Sequence, residues 1–230
     1  MKRIIMYGDS ILRGITYSSE QRRHRLCTGY KFPSLSELGY EVINHARMGA
    51  TVEKGAPLLD ATLTQDICQS SVVLLEYGGN DCDYDWSAIS ADPSGIYLPK
   101  TPEDTFLQVY GQVIETARER GATVLLSSLV PIDAGRYLSV ITHERSYDNI
   151  LSWLGDASML YRFHEHYNAL VHTLARRYHC PLLDVREQFL LSHNYKKLIA
   201  EDGIHPTDEG HDLIEAAIRQ YLLHGDTLCA

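Results

Sequence analysis

Four short polar stretches of this 230-residue chain together supply the groups that acyl transfer requires. An apolar run near the start ends at Gly8-Asp9-Ser10, and later stretches carry Gly49, Asn80 and the pair Asp202 and His205. Ser10 offers a hydroxyl nucleophile, His205 an imidazole base, and Asp202 a carboxylate that orients the base. Gly49 and Asn80 offer a backbone N–H and a side-chain amide to a developing oxyanion. The set therefore predicts attack by Ser10 on a carbonyl carbon.

The spacing of Asp202 and His205 lets one loop present both side chains. They are three residues apart, and Pro206 favours extended backbone at His205. We expect His205 to point at Ser10, with Asp202 behind or beside the imidazole ring. Thr207 is expected to cap the final helix and so to anchor the end of the loop.

Five β-type segments alternate with helical patterns along the chain. The strands are predicted at RIIMYG, YEVINHA, SVVLLEYGG, ATVLLSSLV and CPLLDV, and the longer helices at Thr51–Thr64, Pro102–Arg120, Leu160–Tyr178 and Asp208–Leu223. This alternation, with continuously apolar strands, predicts a parallel sheet covered by helices on both faces. We expect one domain over residues 1–230, an α/β fold arranged as a three-layer α/β/α sandwich of about five strands. The polar stretches would then meet at the edge where such sheets bind ligands.

Four motifs occur in a fixed order along the chain. They are GDS at Gly8–Ser10, a glycine after the second strand, GGND at Gly78–Asp81 and DGIHP at Asp202–Pro206. In this set the chain resembles the SGNH hydrolase superfamily, also called GDSL esterases/lipases, with Ile11 where the family name has Leu. The resemblance implies a flavodoxin-like fold with Ser10 as nucleophile, His205 as general base and Asp202 as its partner. The oxyanion hole would comprise the N–H groups of Ser10 and Gly49 and the side chain of Asn80.

The same resemblance implies a serine hydrolase that cleaves carboxylic esters through an acyl-enzyme on Ser10, with no metal or organic cofactor. Short-acyl or acetyl esters, including those of a carbohydrate, are the expected substrates. Lysophospholipase and acyl-thioesterase activities also occur in this superfamily and stay open. A second interpretation comes from another class, since the architecture alone also suits a non-catalytic flavodoxin-like module that binds a ligand.

Several polar residues near the motifs have two interpretations each. Asp9 and Asp81 could line the substrate pocket, but hydrogen bonds that stabilise turns are favoured. Arg47 could bind an anionic part of the substrate, but a surface salt bridge is favoured. Cys82 is expected to be a structural thiol rather than a nucleophile.

Histidines number 11, yet no metal site is predicted from them. His164 and His166 are two residues apart on a predicted helix, so they do not face one another. These two residues and His211 are all expected on solvated helix faces.

Two long segments, 82–101 and 131–155, are predicted as irregular loops that follow strand ends near the site. They carry Tyr84, Trp86 and Trp153, whose rings would suit stacking on a sugar or contact with a short acyl chain. The alternative is that these rings form a separate hydrophobic cluster or a subunit contact.

The composition limits the partners and the cellular compartment that we expect. A net charge of −9 argues against nucleic acid and anionic membranes, so a small-molecule ester is the expected partner. No apolar stretch approaches the ~20 residues of a membrane span, and the first apolar run is too short for a signal peptide. The five cysteines Cys27, Cys68, Cys82, Cys180 and Cys229 are irregularly spaced, which predicts reduced thiols and a cytoplasmic protein. The oligomeric state is left open.

Overall fold

The computed structural model describes residues 2–68 and 70–224, and in it the predicted sheet has five parallel strands. In chain order the strands are β1 (Lys2–Gly8), β2 (Ile15–Ser18), β3 (Arg23–Leu26), β4 (Tyr40–Asn44), β5 (Ser71–Glu76), β6 (Thr123–Ser127) and β7 (Leu182–Leu183). The main sheet has the order β4-β1-β5-β6-β7. Counting only these five strands, the order is 2-1-3-4-5, which is that of flavodoxin-like folds. The predicted architecture is therefore confirmed.

The strands are continuously apolar because both faces of the sheet are covered. In β1, Ile5 and Tyr7 belong to the core on one face, whereas Ile4 and Met6 belong to the core on the other face. All four side chains are fully buried, as expected where neighbouring residues of a strand point in opposite directions.

Helices cover the two faces and one end of the sheet. They are α1 (Pro33–Glu37), α2 (Val52–Asp66), α3 (Trp86–Ala91), α4 (Glu103–Glu119), α5 (Ala134–Ile141), α6 (Tyr147–Leu154), α7 (Ser158–Arg177), α8 (Val185–Leu191) and α9 (Asp208–His224). Helices α2, α4 and α7 pack on one face, and α1, α8 and α9 on the other. The four predicted helices correspond to α2, α4, α7 and α9. None of the helices in the described ranges is long and apolar enough to cross a membrane.

The two segments predicted as irregular loops are instead partly helical. Segment 82–101 contains α3, and segment 131–155 contains α5 and α6. Each helix is short, and each begins at a side-chain cap, provided by Asp85, Asp133 and Ser146 respectively. These caps satisfy N–H groups that a helix start leaves without partners. The segments pack on α7 as a third hydrophobic cluster, so tertiary contacts hold helices that are too short to be stable alone.

A two-stranded antiparallel hairpin, β2–β3, was not predicted from the sequence. It follows β1 directly, and all four residues of β3 are exposed. The hairpin carries His24 to the site described next.

Candidate functional site

Ser10, His205 and Asp202 meet at the carboxyl edge of the sheet, as the sequence predicts. Ser10 lies in the turn that follows β1, and its Oγ is 2.8 Å from Nε2 of His205. The opposite ring nitrogen, Nδ1, is 2.6 Å from Oδ2 of Asp202. All three residues are buried. With the proton on Nδ1, Nε2 is free to accept the proton of the Ser10 hydroxyl.

The loop that carries Asp202 and His205 is held in place through its backbone. A bridge joins Ile199 to Pro206, and the N–H of Ala200 donates to the carbonyl of His205 at 2.8 Å. Gly203 has a φ of +81°, and a Cβ there would lie 2.5 Å from a backbone nitrogen of α5. A side chain is therefore excluded at this position by both conformation and space.

Thr207 caps α9, as predicted, because its Oγ1 accepts a hydrogen bond from the N–H of Gly210 at 3.3 Å. Asp208 and Glu209 lie in the first turn of the helix, where negative charge is favourable. The loop is thus fixed at the point where the last helix begins.

Asp202 stays ionised although it is buried. Burial acts to raise its pKa, but the hydrogen bond and charge of His205 outweigh that effect, aided by backbone donors, so the pKa lies below its usual value. The backbone donors are the N–H groups of Ile204 and His205, which reach Oδ1 at 3.3 and 3.1 Å. The resulting carboxylate can stabilise a positively charged imidazole.

Asn80 follows β5, lines the same cavity as Ser10, and is oriented by Asp9. Its Nδ2 donates to Oδ2 of Asp9 at 2.8 Å, which leaves the second N–H of the amide for another acceptor. Oδ1 of Asp9 accepts from the N–H of Ile11 at 2.8 Å. This is the turn-stabilising hydrogen bond that was favoured for Asp9.

Glu76 was missed by sequence reasoning and lies beside Asp9. Strands β1 and β5 pair Gly8 with Glu76, and Oε2 of Glu76 is 3.4 Å from the N–H of Asp9. Burial raises the pKa of Glu76 well above its usual value, and the negative charge of Asp9 raises it further. Burial also raises the pKa of Asp9, against hydrogen bonds that lower it. Both buried carboxyl groups therefore have a raised pKa, and each opposes the ionisation of the other.

Gly49 and Arg47 lie in the turn after β4, beside the cavity rather than in its wall. Gly49 has a φ of +70° and is exposed; both residues line a neighbouring groove that also includes Gly8. The role of Gly49 in an oxyanion hole stays a prediction. Arg47 is exposed and forms no ion pair within the described ranges, so the favoured salt bridge was wrong. As an exposed residue, Arg47 is solvated and needs no partner.

A mainly apolar cavity of about 70 Å³ opens beside Ser10. Asp9, Glu76, Asn80 and His205 form its polar end. Its apolar walls come from α3, α7 and the segments after β6 and before His205, and include Trp86, Leu129, Val130, Ile132, Leu160, Phe163 and Ile204. Most of these residues were not predicted as site residues because they lie far apart in sequence.

The aromatic residues of the two segments mainly pack on one another. Tyr84 contacts Trp86, Trp153 and Phe163, with ring centroids 4.9 to 5.8 Å apart. Trp86 lines the cavity, but Tyr84 and Trp153 are absent from its described lining. For Tyr84 and Trp153 the geometry thus favours the hydrophobic cluster over direct contact with substrate.

Asp81 does not line the cavity, and its hydrogen bonds reach beyond the local turn. It is fully buried, and its Oδ1 accepts from the N–H of Val52 at 3.0 Å, at the start of α2. Burial raises the pKa of Asp81 to about 6. This acceptor serves a helix start 29 residues away in the chain, a contact that the sequence pattern does not predict.

Asp83, a second unpredicted residue, ties the cavity wall together. Its Oδ1 accepts from Nε1 of Trp86 and from the hydroxyl of Tyr137, both at 2.7 Å. Its Oδ2 pairs with Nζ of Lys100, also at 2.7 Å. One carboxylate thereby joins α3, α5 and the segment before α4.

Two of the three histidines expected on solvated faces are buried. His164 on α7 lines the cavity beside Arg186, and burial together with that positive charge lowers its pKa to about 3. His211 on α9 contacts the carbonyl oxygen of Ile15 at 2.9 Å, and burial lowers its pKa to about 4. His166 is exposed, as predicted, and pairs with Glu103.

The cysteines show the environment expected of structural thiols. Cys27, Cys82 and Cys180 are free thiols, and Sγ of Cys68 accepts a hydrogen bond from Ser71. Cys82 lines the cavity, but burial raises the pKa of its thiol well above the usual value, so it is a poor nucleophile. Cys229 lies outside the described residues.

His24, on β3, contacts the site from the solvent side. Its Nε2 is 3.4 Å from Oδ2 of Asp202, the oxygen that also contacts His205. The two imidazole rings meet edge to face, with centroids 4.8 Å apart. No sequence motif singled out His24, because the unpredicted hairpin brings it there.

Comparisons with known proteins agree with this fold. A model of the GDSL-like lipase/acylhydrolase family matches residues 6–213. A search of curated proteins finds no match. Solved structures with a similar fold include a lipase/acylhydrolase from Enterococcus faecalis, 17% identical, with a TM-score of 0.67 over 96% of this chain and 95% of that one. The acetyl xylan esterase AlAXEase is 20% identical, with a TM-score of 0.62 over 96% and 99%. TesA is 18% identical, with a TM-score of 0.62 over 96% and 98%.

Proposed function

The chain belongs to the GDSL-like lipase/acylhydrolase family, and from that premise we propose that it hydrolyses carboxylic esters through an acyl-enzyme on Ser10. The observation that carries the proposal is the continuous hydrogen-bonded series from Ser10 through His205 to Asp202, with contacts of 2.8 and 2.6 Å. A buried serine needs such a base to become a nucleophile at neutral pH.

In the proposed reaction, Oγ of Ser10 attacks the ester carbonyl while Nε2 of His205 takes its proton. Asp202 holds the ring and stabilises its positive charge. The second N–H of Asn80, with the N–H groups of Ser10 and Gly49, receives the oxyanion. His205 then protonates the leaving alcohol, and the acyl group stays on Ser10. Water, deprotonated by His205, attacks this ester and releases the carboxylic acid.

We propose that the cavity beside Ser10 binds a short apolar acyl group of the substrate. The cavity volume is about 70 Å³, and Leu160 and Ile132 are among its apolar wall residues. Burial of each additional methylene contributes about 0.8 kcal/mol, which is about a fourfold gain in kcat/KM per CH₂ until the cavity is full.

For the alcohol portion of the substrate we propose a sugar. The structurally similar AlAXEase is named an acetyl xylan esterase, which agrees with an acetylated sugar as one substrate to test. Thioesters and lysophospholipids are the other substrate classes that stay open, and they form further arms of the assay. We also propose a cytoplasmic location, supported by the free thiols of Cys27, Cys82 and Cys180.

The test is a series of p-nitrophenyl esters from acetyl to octanoyl, beside an acetylated sugar, an acyl-CoA and a lysophospholipid. We expect kcat/KM to rise over the first members of the ester series and then to fall. Leu160→Ala should shift the optimum to longer chains, because it removes a cavity wall. Leu154→Ala is the matched control, since Leu154 is equally buried in the same cluster but lies outside the cavity.

Two results would contradict the proposal. Absence of turnover with every ester and thioester would favour a non-catalytic binding module. An unchanged chain-length optimum in Leu160→Ala, with activity retained, would show that the acyl group does not enter this cavity.

A further inference from the structure

His24, Asp202 and His205 form a cluster of ligands that the proposed reaction does not use as such. Each offers one ligand atom, and the three atoms lie within 4.8 Å of one another. Among the described residues, 2–68 and 70–224, this one group of histidine, cysteine or acidic side chains is close enough together to hold a metal ion. We propose that it is an inhibitory binding site for a zinc-class divalent transition-metal ion.

The donor set is appropriate for zinc. Two imidazole nitrogens and one carboxylate oxygen form a common three-residue zinc site, with water as the fourth ligand. Ligand atoms at about 2.0–2.1 Å from a tetrahedral zinc ion lie about 3.3–3.4 Å from one another. Nε2 of His24 and Oδ2 of Asp202 are already 3.4 Å apart. Nδ1 of His205 is 2.6 Å from the same oxygen, so this contact must lengthen, while all three ligand atoms already lie within 4.8 Å of one another.

The site is open to ions from solvent on the side of the β2–β3 hairpin. The side chain of His24 is 39% exposed, whereas those of Asp202 and His205 are each 5% exposed. An ion would therefore meet His24 first and then displace the hydrogen bond between the two buried residues. The net charge of −9 favours the approach of cations.

Metal binding at this position would stop proton transfer at Ser10. An ion on Nδ1 of His205 takes the place of the proton there, and the neutral ring then carries its proton on Nε2. Nε2 donates to Ser10 Oγ in that form and accepts no proton from it. The metal also neutralises Asp202, which would otherwise stabilise the charged ring. This inhibitory effect rests on the proposed function, whereas the binding of the ion does not.

The first experiment titrates zinc against ester hydrolysis. We expect zinc to inhibit the parent protein reversibly, with activity restored by EDTA, while Mg²⁺ and Ca²⁺ at equal concentration have no effect, because they prefer oxygen ligands. His24→Ala should raise the zinc concentration for half-inhibition by about 10-fold or more. Mutating a residue that only hydrogen-bonds to a metal ligand already weakens metal affinity by about 10–100-fold, and His24 is itself a proposed ligand. His166→Ala is the matched control: it removes an exposed histidine elsewhere and should leave zinc sensitivity unchanged.

The second experiment measures zinc binding without catalysis. Ser10→Ala should compete with a chromophoric chelator for one equivalent of zinc, and Ser10→Ala/His24→Ala should bind at least about 10-fold more weakly. Equal half-inhibition of His24→Ala and the parent, or equal competition by the two Ser10→Ala proteins, would overturn the site. If no ester is hydrolysed, the proposed function fails, and the competition alone still decides whether the ion binds.

Discussion

Asp202→Asn tests how the orientation of one side chain controls the base. Oδ1 of Asp202 accepts from two buried backbone N–H groups, those of Ile204 and His205, at 3.3 and 3.1 Å. In the variant the amide oxygen must take this place, so the NH₂ group faces Nδ1 of His205. That nitrogen must then accept, and the ring proton moves to Nε2, where it blocks proton transfer from Ser10.

The size of the effect follows from the cost of the opposite amide orientation. Rotating the amide would leave two buried N–H groups without acceptors, at about 1–3 kcal/mol each. The total of about 2–6 kcal/mol confines the productive orientation to between about 1 in 30 and about 1 in 2 × 10⁴ molecules. We therefore expect kcat to fall by about 30-fold to about 2 × 10⁴-fold, and the same substitution in a serine protease costs about 10⁴-fold.

The assay is kcat for a short-chain ester, combined with ¹⁵N NMR of the His205 ring to identify its tautomer. Asp208→Asn is the matched control, because it makes the same chemical change at a residue that pairs with Arg25 and does not contact the site residues. The reasoning is refuted if Asp202→Asn keeps more than about a tenth of the parent kcat, or if its His205 still carries the proton on Nδ1.

Two further predictions concern the surroundings of the site. Because the pKa of Glu76 is raised in the folded protein, its contribution to stability is present below the unfolded pKa of about 4.3 and is lost as pH rises. Glu76→Gln should therefore gain stability relative to the parent as pH rises from 5 to 8 in urea unfolding, and an unchanged difference would contradict the raised pKa of Glu76. Gly203→Ala should lower the free energy of unfolding by more than the cost of left-handed backbone, which is about 1–2 kcal/mol. It should also lower kcat, because the new Cβ would lie 2.5 Å from the backbone nitrogen of Tyr137. Gly121 is the control position, because it has a φ of +88° and open space where a Cβ would lie. Gly121→Ala should therefore lose only the stability that left-handed backbone costs, and equal losses of stability in both variants would refute the clash at Gly203.

The sheet and the meeting of the motifs were predictable because both depend on local patterns and one general rule. Apolar runs mark strands that are buried on both sides, and the ends of parallel strands lie at one edge. Ser10 and Asn80 each follow such a strand, and Asp202 and His205 share one loop before the last helix. Their meeting could therefore be predicted without knowledge of long-range contacts.

The supporting groups could not be predicted because their partners are distant in sequence. Glu76 meets Asp9 only because β1 and β5 are neighbours in the sheet, with Gly8 paired to Glu76. His24 reaches Asp202 only through a hairpin whose exposed second strand carries no apolar pattern. Predicting such contacts requires the strand order and the position of the hairpin, which the apolar pattern of a single sequence does not specify.

The buried histidines had a signal that was overlooked. His164 lies four residues after Leu160 and three before Tyr167, and all three are buried on one face of α7. His211 likewise lies three residues before Ile214, on the buried face of α9. Considering the spacing of each histidine to neighbouring apolar residues would have predicted burial at both positions.

The central claim is that Ser10 is the nucleophile, and covalent labelling tests it most directly. A fluorophosphonate probe reacts with a serine that a neighbouring base activates, and peptide mapping by mass spectrometry locates the adduct. We predict one adduct per chain, on Ser10, slowed in His205→Ala and absent in Ser10→Ala. An adduct on another residue, or continued ester hydrolysis by Ser10→Ala at the parent rate, would contradict the account.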